Sequence, residues 1–174
     1  MPMGFGRSAC WSLVLLCACS PALDWRRVRP AGLDIEAMFP CRPATLSREI
    51  VVAERRVEMT MHACSAGGST YAVGALAVDD VRDVGVALTA LRDAAARNVG
   101  ASVGESRAIE IPGMTPHRQA TRITLSGRRP DGTAVIEHLA VFARGSRAYQ
   151  AMVIGDRPDD EAVSTFLTAL KLGS

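Results

Sequence analysis

The spacing of apolar residues along this chain passes from strand-like to helix-like and back. That succession limits the fold more than any single motif. Leu33 to Phe39 alternates apolar and polar residues and stops at Phe39-Pro40-Cys41-Arg42-Pro43, which predicts a first strand. Arg48 to Ala53 and Val57 to Ala66, rich in Val, Met and Thr, predict a hairpin with Glu54-Arg55-Arg56 at its tip. Gly67-Gly68-Ser69 then turns the chain into a strand from Tyr71 to Val78. From there the period changes: Val81, Val84, Leu88, Leu91 and Ala95 recur at steps of three and four, the mark of an amphipathic helix. Asp80 is placed to cap that helix, and Arg97 and Gly100 mark its end.

Strand-like spacing resumes at Gly104 to Ile111 and at Gln119 to Gly127. Arg129-Pro130-Asp131-Gly132 and Gly145-Ser146 are turn signals on either side of Ala134 to Ala143, with Arg147 to Ile154 beyond. Three consecutive strands in an antiparallel meander are therefore predicted. Pro158 and the acids Asp159, Asp160 and Glu161 open a second helix, with Val163, Phe166, Leu167 and Leu170 on one face and Lys171 and Gly173 at its finish. The order predicts an α+β fold, a mostly antiparallel sheet flanked by two helices. At 174 residues the chain has room for one core.

Twenty basic residues against eighteen acidic ones leave a formal charge of +2, so no nucleic-acid partner is expected. Lys171 is the only lysine. An arginine preference beside abundant Ala, Val and Gly follows from GC-rich codons, so arginine richness alone does not indicate an anion site.

The N-terminus carries one cation, Arg7, an apolar run from Ala9 to Leu16, and small residues before a cysteine, the layout of a secretory signal. The run is shorter than the roughly 20 apolar residues that span a bilayer. Leu16-Cys17-Ala18-Cys19 resembles the lipobox of bacterial lipoproteins, with a large aliphatic at −3 and a small residue at −1. The resemblance implies cleavage before Cys19, lipid on that cysteine and attachment to the cell envelope, the membrane being the first partner. Ser20 in place of aspartate at the next position implies outer-membrane sorting. The expected division is a signal peptide over 1–18, a lipidated tether over 19–32 and one α+β domain over 33–174. Trp25, Arg26, Arg27 and Arg29 lie where headgroups would meet the chain. Trp25 serves equally well as a cap on the domain's core.

Cys10 and Cys17 leave with the signal and Cys19 takes the lipid, so Cys41 and Cys64 remain. An exported compartment is oxidising, and a Cys41–Cys64 disulfide is expected. The alternative, a metal or redox site, starts from His62 and Cys64, two apart on one strand and so on one face. No further ligand motif completes it, and neither metal nor cofactor is expected.

Over nearly the whole mature chain the order of elements is similar to the Mog1/PsbP-like fold. The resembling pieces are the strand ending in Phe39-Pro40, the Tyr71-Ala72-Val73 strand running into a helix, and the Arg147-Ala148-Tyr149-Gln150 strand before a terminal helix. The resemblance implies a noncatalytic, partner-binding module and transfers no binding residue. No activated nucleophile is expected: none of GxSxG, SxxK or HExxH is anticipated, and the three histidines, His62, His117 and His138, fall in strands or a loop. The acids at Asp79-Asp80 and Asp159-Asp160-Glu161 sit where helices begin and answer the helix dipole rather than calcium. The sequence thus predicts a noncatalytic envelope lipoprotein that binds an envelope protein or component. The alternative is a small envelope hydrolase whose triad is assembled from distant residues.

Overall fold

The computed structural model describes residues 23–52 and 54–173. The signal peptide and Cys19 lie outside the described residues. Ten strands run as β1 (Arg26–Val28), β2 (Ile35–Phe39), β3 (Ala44–Val52), β4 (Arg55–Ala66), β5 (Ser69–Ala77), β6 (Ser106–Ala108), β7 (Thr121–Arg128), β8 (Ala134–Arg144), β9 (Arg147–Gly155) and β10 (Lys171–Leu172). Two α-helices interrupt them, α1 (Val84–Asn98) and α2 (Asp160–Thr168). The main sheet has the order β3-β4-β5-β9-β8-β7-β6, a smaller one the order β1-β2-β10, and every pairing is antiparallel. The fold is α+β, as the period changes predict, and β7, β8 and β9 form the expected meander.

Strand alternation gives the main sheet two apolar faces. On one, Val84, Leu88, Leu91 and Ala95 of α1 pack with Ile123, Leu125, Leu139, Val141 and Leu76. On the other, Val163, Phe166 and Leu167 of α2 join Ile35 and Phe39 of β2 against Tyr71, Val73, Phe142, Tyr149 and Val153. Phe166 stands edge-on to Phe39 and Tyr71, with ring centroids 5.3 and 5.4 Å away, an arrangement the aromatic quadrupole favours. Gly74 of β5 leaves room for Met59 and Met61 of β4 to lie across it. A Cβ there would lie 2.7 Å from Met61 Cγ, so the two methionines beside it, Met59 and Met61, could not cross the strand.

Several boundaries differ from expectation for local reasons. Asp80 caps a 3₁₀ turn over Val81–Asp83, accepting from Arg82 N at 2.8 Å, and α1 begins only at Val84. Val81 is accordingly 61% exposed instead of lying on the buried stripe. The expected strand from Gly104 to Ile111 contracts to Ser106–Ala108, and the hairpin lengthens backward to Ala44. Lys171–Leu172, expected as a helix end, pairs with Glu36 and Ile35 as β10. Asp24 to Val28, within the stretch expected as a tether, pack against the domain. Asp24 N donates to Pro40 O at 2.9 Å, Trp25 packs edge-on to Tyr71 at 6.0 Å, and β1 pairs with β2. Trp25 thus sits against the core. Arg26 pairs with Asp24, while Arg27 and Arg29 reach Glu36 at 3.3 and 3.0 Å.

Cys41 and Cys64 are joined as a disulfide, closing a separation of 23 residues between the end of β2 and β4.

Candidate functional site

A cleft of about 860 Å³ opens between the C-terminal half of α2 and the β6–β7–β8 edge of the main sheet. Its floor is set by register. Ala140 and Phe142 of β8 face the α2 core, so His138, at the same parity, points to the same side. Thr124 is paired with His138 and Arg122 with Ala140, which puts Thr124 and Arg122 on that floor too. β6 adds Arg107 directly opposite Arg122. Ile109 and Pro112 give the cleft its accessible apolar lining, Leu167 and Leu170 being almost fully buried, and Thr168 stands on the rim with its hydroxyl donated to Ser164 O.

Arg107 and Arg122 are the unusual pair. Cross-strand neighbours hold their Cβ atoms about 5 Å apart, and like charges placed so oppose folding. Other arginines find acids, Arg55 reaching Asp79 at 2.9 Å, Arg56 reaching Glu49 at 3.0 Å and Arg144 reaching Asp34 at 2.8 Å, while Arg42, Arg97, Arg118 and Arg157 make no ion pair among the described residues, so it is the direct cross-strand placement that sets Arg107 and Arg122 apart. Among the described residues no carboxylate lies within 4.0 Å of either Arg107 or Arg122. Glu105 and Glu110 line the same cleft without closing on them. His138 Nδ1 and Thr124 Oγ1 are hydrogen-bonded at 3.1 Å. Burial and then the charge of Arg122 hold the imidazole below the usual histidine value, against an opposing pull from Asp160.

Compared with protein-family models, curated proteins and solved structures, the chain matches none.

The other candidates from the sequence go elsewhere. His62 is buried with Nδ1 3.3 Å from Thr45 Oγ1 and Nε2 3.2 Å from Ala31 O, which fastens the turn before β2 onto β4. Cys64, expected on the same strand face, is taken by Cys41. Among the described residues no group of three His, Cys, Asp or Glu side chains is placed to hold a metal ion. His117 accepts from Gln119 N at 3.2 Å and lies close under Gly85 of α1. No carboxylate hydrogen-bonds any of the three rings among the described residues. The acids expected as caps act as caps, Asp159 accepting from Ala162 N at 2.8 Å.

One motif escapes the sequence reading. Gly100-Ala101-Ser102-Val103-Gly104 has the GxSxG spacing of a hydrolase nucleophile. That motif works on a sharp strand-to-helix turn. Here it follows a helix and precedes a strand, and Ser102 is exposed in the intervening loop with no histidine bonded to it. The local context is the reverse of a nucleophile elbow.

A second polar feature sits under α1. Glu137 of β8 is 2% exposed within the α1 core layer, and burial raises its carboxyl from 4.5 to about 7, with the charge of Arg48 opposing. Arg48 Nε and Gln150 Oε1 are buried beside that layer without hydrogen-bond partners. Isolated buried charge is costly, so this cluster bears on stability.

Proposed function

We propose that this chain is a noncatalytic lipoprotein of the bacterial cell envelope, a sheet-and-helix module of the Mog1/PsbP kind. In this reading it is anchored through lipid on Cys19 and binds an envelope protein or component. The observation that carries the binding role is the α2–β6–β8 cleft, where two arginines face each other unpaired beside an apolar wall. An anion held between them relieves their mutual repulsion and stabilises the folded chain by mass action. In this reading the folded part begins close to the anchor. Asp24 is already bonded to Pro40, and five residues reach about 17 Å at most. A lipid on Cys19 therefore holds the cleft-bearing domain close to the membrane surface and makes encounters there effectively intramolecular. Ser20 directs the anchored protein to the outer membrane, facing the periplasm.

Two measurements test this. Replacing Cys19 by alanine is expected to move the protein from the membrane to the soluble fraction; unchanged fractionation overturns the anchor. A photo-reactive residue at Thr168, on the cleft rim, is expected to form adducts in cells that the same group at Arg97 does not. Equal labelling from both positions overturns the cleft as the binding site.

A second reading, a small envelope hydrolase, has one observation in its favour, the Thr124–His138 hydrogen bond beside the field of Asp160. It predicts an esterase activity that His138→Ala abolishes.

A further inference from the structure

We infer that the cleft takes a phosphoryl group carried on an apolar stem, with Arg107 and Arg122 gripping the anion and Ile109 and Pro112 receiving the stem; this rests on the cleft being the binding site proposed above. Register, and not the number of arginines, marks the pair. Arg107 and Arg122 are direct cross-strand partners on one face, and an anion between them removes the like-charge penalty that the empty site carries. Each guanidinium presents a planar fork suited to a pair of oxygens. A carboxylate has a single O–C–O edge and satisfies one fork well. The tetrahedral phosphoryl group has several O–P–O edges and engages two forks at once.

The rest of the cleft fits the same class. The hydroxyl of Thr124, bonded to His138 Nδ1, adds a neutral polar group on the floor. His138 is held below its usual value by burial and by Arg122, so it adds a polar contact without a third charge. Ile109, half-buried, and Pro112, exposed, line the cleft, which places an apolar wall beside the guanidiniums. A bare anion leaves that wall empty, and a neutral apolar ligand leaves the guanidiniums unpaired. Glu105 and Glu110 keep the empty cleft close to electrical neutrality, so the site selects an anion by the two forks and not by a general positive field. Their presence makes a prediction of opposite sign from that of the arginines.

The test is titration calorimetry on the full mature chain in a neutral detergent. The probes are hexyl phosphate, inorganic phosphate, hexanoate and hexanol. Hexyl phosphate is expected to bind tightest, with hexanoate weaker by about tenfold and hexanol showing no saturable binding. Its affinity is expected to fall at least about tenfold in Arg107→Gln and in Arg122→Gln, to rise in Glu105→Gln, and to weaken from about 50 to 500 mM NaCl. Inorganic phosphate distinguishes the sources. Binding well below that of hexyl phosphate identifies a lipid-like ligand and supports the inference, whereas equal binding of the two identifies a free phosphate and overturns the stem. Hexanol binding as tightly as hexyl phosphate, or affinity unchanged by either arginine substitution, overturns the phosphoryl assignment while leaving the cleft as a binding site. Folding of each variant is checked by its urea midpoint, and Glu105→Gln gives an opposite sign that general destabilisation does not mimic.

Discussion

Glu137→Gln is expected to stabilise the protein above neutral pH and to leave it unchanged in acid. The carboxyl is raised from 4.5 to about 7 because it is buried at 2% exposure, with the nearby Arg48 charge offsetting only part of the cost. The unfolded chain releases this proton near the ordinary glutamate value, and the folded chain keeps it until about pH 7. Between those values the unfolded state binds fewer protons, so stability falls as pH rises and is flat on either side. At 1.36 kcal/mol per pH unit the full difference is about 3 kcal/mol, an upper figure because water entry and relaxation reduce it. Glutamine has nearly the same shape and no charge to desolvate. Urea unfolding of both proteins, disulfide intact, from about pH 4 to about pH 8.5 gives the difference curve directly, other groups cancelling. The curve is expected to start near zero and rise through about pH 5 to 7 in favour of glutamine. Parallel curves refute the reasoning, and a variant less stable at the alkaline end shows instead that Arg48 holds the carboxylate charged.

Other substitutions probe the framework. Leu91→Ala empties a fully buried position under α1 and is expected to cost about 2–5 kcal/mol, read from the urea midpoint. Removing the disulfide as Cys41→Ala with Cys64→Ala releases a loop closed over 23 residues and is expected to cost about 3 kcal/mol in chain entropy, seen as a lowered Tm. Asp159→Ala leaves the Ala162 amide without its cap and is expected to cost about 1 kcal/mol by the same assay.

The helices and the meander were legible because their signals are local. The buried stripe of α1 follows from Val84, Leu88, Leu91 and Ala95 alone, and Asp159 announces its own helix. Boundaries failed where a neighbour decided them. Val81 fits the helical period, but Asp80 bonds Arg82 N and closes a 3₁₀ turn first. Trp25 to Val28 reads as tether because the strand it joins, β2, lies across a turn that composition does not reveal. The cleft was not legible at all. Arg107 and Arg122 are fifteen residues apart in sequence, and only the β6–β7 register, set across an irregular loop, brings them opposite. The GxSxG spacing at Gly100 to Gly104 shows the converse, a local pattern without the strand-to-helix turn that gives it chemistry.

The central claim is that ligand is held between α2 and the β6–β8 edge. Backbone amide shifts of the isotope-labelled protein, followed as hexyl phosphate is added, test it most directly. The account predicts saturable perturbations grouped on Arg107, Arg122, Thr124, His138 and Thr168. Perturbations centred instead on the smaller cleft beside His117 and Gly85, or scattered evenly over the surface, contradict it.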